Sequence, residues 1–189
     1  KPRDLDPSRD VAYYAIALYL LTGIRQQELL QLKWGDVYLK QSEWAIQGAK
    51  GPFFQIWQSK QQKHFGIPIT KFMVPTFESL LKRKRNEFVF PTSREAGRGA
   101  APLATDRKVF ETLRALMPNL KHRLTQKLCR ATFATSAHRL HYTLEQIDMF
   151  TGHTGKVDTR NVATTAYVML EADSARTAFE QINAFMLGG

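Results

Sequence analysis

The chain has 189 residues, 43% of them hydrophobic, with 27 Lys and Arg against 17 Asp and Glu and a formal net charge of +10. That length suits one compact domain with a core of its own, and a balance so basic points to a polyanionic partner, nucleic acid first. Membrane and disulfide classes are disfavoured: residues 12–21 form an apolar run too short to span a bilayer and without a signal-peptide cleavage site, and Cys129 is the single cysteine. A reducing, cytoplasmic compartment is the corresponding expectation.

In chain order, Asp6-Pro7 reads as a helix N-cap followed by proline at the first helical position. The predicted helix runs through Tyr14, Leu18 and Leu21 to Gly23, a C-terminal glycine, and a short second helix is predicted over 26–33. From residue 37 to 69 the pattern turns β-prone. Trp44-Ala45-Ile46, residues 53–57 and residues 65–69 are predicted to form a small three-stranded antiparallel sheet, separated by Gly48, Gly51-Pro52 and the polar run 59–64. Helix resumes over 75–85 and ends in Lys82-Arg83-Lys84-Arg85. A short extended piece, Phe88 to Pro91, leads into a loop over 92–102 rich in Gly, Ala and Arg. Helices are then predicted over 105–117 and 124–138. Thr143-Leu144-Glu145-Gln146 is a capping-box pattern that opens a helix ending at Gly152, and two more helices are predicted over 162–170 and 174–187. Trp34, Trp44 and Trp57 are assigned to the core.

Several groups carry chemistry. Arg25 follows Gly23-Ile24 at the start of a helix, where free backbone N–H groups and partial positive charge favour an anion and a guanidinium adds a two-pronged grip. Glu28, one turn later, is placed to orient it. Lys127 and Arg130 share one helical face, and the small apolar run after Arg130 drives that helix into a core. Arg130 therefore needs an anionic partner, either internal (Glu145 or Asp148) or a ligand. His153 follows a helix-ending glycine, and Tyr167 lies in Thr164-Thr165-Ala166-Tyr167. No Asp, Glu and His spacing suits a metal, and there is no phosphate-binding G-x-x-x-x-G-K-[ST] loop, so neither metal nor nucleotide cofactor is expected.

In this order the segments resemble the catalytic domain of the tyrosine recombinase (phage integrase) family. Thr22 to Leu29 matches T-G-[IL]-R-x-x-E-L. Ile56 to Lys60, with Lys63 and Ile67-Pro68-Ile69, matches the pattern around the family's hairpin lysine. Arg130, Thr132, Phe133, Ala134 and Thr135 match the H-x-L-R-H-T-F-A-T box, Gly152-His153 the L-G-H box, and Thr164 to Tyr167 the T-x-x-Y box. Lys127 stands where the second box usually has histidine, and the His153 to Tyr167 interval is longer than the family's usual spacing.

The resemblance implies an α+β fold, mostly helical with a small three-stranded antiparallel sheet, over residues 1–189 as one catalytic domain. The amino-terminal DNA-clamping domain of most relatives is missing from this chain. It also implies site-specific cleavage and rejoining of double-stranded DNA through a 3′-phosphotyrosine, within a homo-oligomer assembled as a tetramer on DNA. Its catalytic set is Arg25, Lys60 as general acid, Lys127, Arg130, His153, and Tyr167 as nucleophile. A type IB topoisomerase, a telomere resolvase and a non-catalytic DNA-binding module of the same fold are the alternatives. The last helix, carrying Ala178, Phe179, Ile182, Phe185 and Met186, is expected to dock either on a neighbouring protomer or on its own core.

Overall fold

The computed structural model describes residues 7–58, 63–92, 100–116, 124–152 and 172–188. Among these, eight α-helices surround a small antiparallel sheet. Helix α1 (Pro7–Thr22) buries Val11, Ala12, Ala15, Leu18 and Tyr19, a helical stripe that makes it the spine of the core. It stops at Gly23, whose φ of +66° is the left-handed value that a glycine adopts without steric cost. Asp6, the expected cap, lies outside the described residues.

Helix α2 (Gln26–Leu30) is shorter than the sequence pattern indicates. Its hydrogen bonding gives way at Gln31, and the chain enters a 3₁₀ turn over Trp34–Asp36. Leu32 and Trp34 pair instead with the extended piece before Phe90, through Val89 N–H to Leu32 O (2.9 Å) and Trp34 N–H to Glu87 O (2.8 Å).

The sheet has the expected three strands, but one of them lies elsewhere in the sequence. Trp44-Ala45-Ile46 is not a strand; it closes helix α3 (Gln41–Ile46). The Glu43 carboxylate accepts from the backbone N–H groups of Leu39 (3.2 Å) and Lys40 (3.1 Å), satisfying a helix start that β-prone side chains alone do not reveal. The first strand is β1 (Val37–Tyr38), paired antiparallel with β2 (Phe53–Gln58), which pairs antiparallel with β3 (Lys63–Pro68). Among the described residues, the hairpin's ladder ends with Gln58 opposite Lys63. Alternation along β2 buries Phe54, Ile56 and Gln58 and turns Trp57 outward, where it is 49% exposed and meets His64 edge-on at 5.1 Å. The assignment of Trp57 to the core is thereby corrected: strand parity sends it to the solvent face.

Helix α4 (Val74–Lys82) carries a proline in its first turn, and the basic run at its end is exposed. Arg83 lies over the Tyr14 ring (5.4 Å) and Lys84 over Trp34 (5.9 Å). Helices α5 (Arg107–Leu116), α6 (Gln126–Arg139) and α7 (Leu144–Phe150) follow. The capping box at α7 forms as expected. Thr143 Oγ1 accepts from Gln146 N–H (3.2 Å), and Gln146 Oε1 accepts from Thr143 N–H (2.9 Å).

The final helix, α8 (Ala172–Leu187), docks on its own chain. Phe179 meets Phe133 of α6 at 5.2 Å and Phe150 of α7 at 5.7 Å. Arg176 donates to the carbonyls of Ile69 (3.0 Å) and Pro52 (2.7 Å), and Asn183 Nδ2 donates to Thr70 Oγ1 (2.9 Å). The helix expected over 162–170 lies outside the described residues. Among the described residues, no helix is long and apolar enough to cross a membrane.

Candidate nucleic-acid active site

Arg25 occupies the N-cap position of α2 with an extended backbone (φ −77°, ψ 144°), so its side chain leaves the helix at the end where backbone N–H groups are free. Its Nη1 donates to Glu28 Oε1 at 3.0 Å, the contact that the i,i+3 spacing anticipates. A five-residue helix has little stability of its own, so the segment that carries Arg25 is held from outside. Gln126 Nε2 donates to the carbonyl of Ile24 (2.8 Å), and Gln26 Nε2 donates to Asp106 Oδ1.

Arg130 lies one turn into α6, whose start is capped by Thr125 Oγ1 accepting from Leu128 N–H (3.1 Å). Small neighbours and the buried Phe133 draw this face of α6 against α1. The guanidinium spans two loops: Nη1 donates to the Gly23 carbonyl (2.6 Å) and Nη2 to the Thr151 carbonyl (2.9 Å). Burial depresses its pKa below the usual guanidinium value, and the positive charge of Arg25 lowers it further; Glu28 and Asp148 act in the opposite sense. Arginine begins so far above neutrality that the group stays a cation. Two cations close enough to repel one another, at the mouth of a helix N-terminus, favour an anion between them.

Lys127 is exposed on the same helix, one turn before Arg130. Arg25 and Arg130 thus meet where α1, α2 and α6 join, through the Gly23 carbonyl that Arg130 holds. Lys60, His153 and Tyr167 lie outside the described residues. The described chain nevertheless brings the flanks of two of those segments to the same place. Gln58, at the end of β2, donates through Nε2 to the carbonyl of Gly152 at 3.3 Å. Gly152 ends α7 with a φ of +69°, the glycine-ended helix that the sequence indicates.

Four residues of this neighbourhood are not singled out by sequence patterns. Gln26 and Gln126 adjoin motif residues, which is their only signal. Asp106 immediately precedes α5 and is 3% exposed, with burial raising its carboxyl pKa, and it stands beside the buried Tyr19 phenol without a hydrogen bond of ordinary geometry between them. Burial together with the Asp106 charge raises the Tyr19 phenol pKa in turn. Thr151 contributes only its carbonyl, which no residue type can announce.

The family model described as "Phage integrase family" matches residues 4–167. The chain belongs to the phage integrase family. Three solved structures share the fold of this integrase-family chain. The crystal structure of XerH site-specific recombinase bound to difH substrate, a pre-cleavage complex, aligns with a TM-score of 0.61 at 17% identity over 91% of this chain and 47% of that one. The XerH post-cleavage complex with palindromic difH substrate gives 0.62 at 15% identity over 97% and 48%. XerA recombinase gives 0.53 at 22% identity over 92% and 62%. The chain therefore spans about half the length of the XerH chain. No curated protein matches it.

Proposed function

We propose that this chain is the catalytic domain of a site-specific DNA recombinase or integrase that cuts and rejoins DNA through a covalent 3′-phosphotyrosyl intermediate. The observation that carries the reading is the juxtaposition of Arg25 and Arg130. The Arg130 guanidinium is held by two backbone carbonyls, one of them that of Gly23, two residues before Arg25, and the Arg25 charge acts on it. Cleaving a phosphodiester requires neutralising the charge that grows on the non-bridging oxygens, and paired arginines do this with directed donors. The net charge of +10 provides the wider attraction to a DNA backbone.

In this reading the Tyr167 phenolic oxygen attacks the scissile phosphorus in line and a P–O bond forms to tyrosine as the P–O5′ bond breaks. Lys60 donates the proton that the departing 5′-oxygen takes up. His153 and Lys127 are further donors to the phosphoryl oxygens. Attack by the 5′-hydroxyl of another strand reverses the steps and restores a phosphodiester. Bond energy is retained in the phosphotyrosine, so the scheme calls on neither metal nor nucleotide. XerH, a site-specific recombinase, is crystallised with difH substrate in pre-cleavage and post-cleavage complexes, which supports a cleavable DNA site as the partner here; a homo-oligomer on DNA and a location with the nucleoid follow from the same reading.

The test is a nicked suicide DNA substrate analysed on a denaturing gel. Wild-type protein should form a covalent protein–DNA band that Tyr167→Phe abolishes. A band of equal intensity in Tyr167→Phe would remove the nucleophile assignment, and relaxation of supercoiled plasmid without site preference would move the activity to the topoisomerase class.

A further inference from the structure

Gln58 stands two residues before Lys60, at the last described ladder pair of the hairpin. The pleat that buries Phe54 and Ile56 sends the Gln58 side chain to the same face, where only 2% of it is exposed. A carboxamide is an expensive group to bury unless its polar atoms are paired. Nε2 finds the Gly152 carbonyl, while Oε1 has no hydrogen-bond partner among the described residues. An apolar side chain would fill this position at lower cost, so packing alone does not account for a glutamine.

The opposing surface is shaped for it. A Cβ on Gly152 would lie 2.1 Å from Gln58 Nε2, so the amide reaches the turn only because position 152 has no side chain. The neighbouring carbonyl of the same turn, Thr151, is taken by Arg130, whose other nitrogen holds Gly23. A continuous line of contacts thus runs from Gly23, two residues before Arg25, through Arg130 and the 151–152 turn to Gln58, two residues before Lys60. The turn in the middle immediately precedes His153.

We propose that Gln58 is a positioning residue that anchors the hairpin bearing Lys60 to the turn preceding His153, fixing the general acid relative to the arginine pair. The inference rests on the recombinase reading for the role of Lys60. Gln58 is the last described residue of β2, so what holds its side chain holds the strand from which residue 60 follows two positions later. The Gln58 side chain reaches across to the 151–152 turn. It touches no DNA in this proposal and acts only through the strand end.

Gln58→Met keeps the length and volume of the side chain and removes both polar atoms. On a suicide substrate with an ordinary 5′-oxygen leaving group, adduct formation should slow by about ten- to a hundredfold, the scale of a misplaced catalytic group, with DNA retention unchanged. On the same DNA carrying a 5′-phosphorothiolate, whose leaving group needs no proton, the variant should return to within about threefold of wild type, as Lys60→Ala should. Melting within a few degrees of wild type confirms folding; Gln58→Glu, which retains an acceptor but loses the donor to Gly152, should share the signature. Equal slowing on both substrates would make Gln58 a general structural residue and overturn the proposal, as would no slowing on either. A readout independent of the chemistry is trypsin nicking at Lys60 and Lys63, which should be severalfold faster in Gln58→Met at equal melting temperature. If wild type forms no adduct on either DNA, the recombinase reading fails, and unchanged nicking would overturn the anchoring by itself.

Discussion

Alanine at Gly23 is expected to destabilise the domain by about 2–5 kcal/mol. The backbone there has a φ of +66°, where a residue with a Cβ costs about 1–2 kcal/mol. The new Cβ would stand 2.9 Å from Phe133 Cδ1, 3.1 Å from Cγ and 3.2 Å from Cβ. Phe133 is completely buried and its ring is stacked at a tilt against Phe179, so it has little room to yield. Pressing a methyl group into such a site costs about 1–3 kcal/mol more. Domains of this kind are stable by about 5–15 kcal/mol, so the urea midpoint should fall well below wild type. The assay is urea denaturation of wild type, Gly23→Ala, Phe133→Leu and the double variant. In the Phe133→Leu background the alanine penalty should shrink toward its backbone part, about 1–2 kcal/mol. A loss under about 1 kcal/mol for Gly23→Ala, or the same loss in both backgrounds, would rule out the steric contact with Phe133. Because Gly23 also presents its carbonyl to Arg130, the folded fraction of this variant should cleave DNA more slowly than wild type.

Two further outcomes follow from buried carboxylates. Burial raises the Asp106 pKa, so the folded protein keeps that proton over a range in which the unfolded chain, with the ordinary value of 3.8, releases it. The associated stability is complete below the unfolded value and is lost as pH rises through the folded one; Asp106→Asn, which cannot ionise, lacks this dependence. Wild-type stability relative to Asp106→Asn should therefore fall as pH rises above about 4 in urea titrations, and a difference independent of pH would contradict the assignment. Glu28 holds Arg25 through a carboxylate that is 11% exposed. Glu28→Gln preserves shape but not charge, so adduct formation should slow about tenfold while DNA retention holds; a parallel loss of retention would show that Glu28 serves binding instead.

Features governed by neighbouring residues were legible in the sequence. Gly23 and Gly152 end their helices at positive φ, Thr143 builds its capping box, and the 53–58 and 63–68 hairpin forms, because each depends on contacts within a few residues. Trp44-Ala45-Ile46 misled because aromatic and β-branched residues favour strands intrinsically, whereas the Glu43 carboxylate captures the preceding amides and commits the segment to helix. The motif arginines were legible as types at spacings, and their convergence follows from α6 packing on α1. What holds them was not. Gln26 to Asp106, Gln58 to Gly152 and Gln126 to Ile24 join positions 80, 94 and 102 residues apart, and two of these three contacts end on a backbone carbonyl that every residue possesses.

In the proposed function, Arg25 and Arg130 converge to neutralise a scissile phosphate. Its most direct test replaces one non-bridging oxygen of that phosphate with a methyl group, which removes the charge the arginines are held to serve. Arg130→Ala should form no adduct on ordinary suicide DNA and should regain Tyr167-dependent adduct formation on the methylphosphonate. An Arg130→Ala protein that stays folded, retains DNA and yet gains nothing from the neutral substrate would leave Arg130 as a tie between the Gly23 and Thr151 carbonyls and no more.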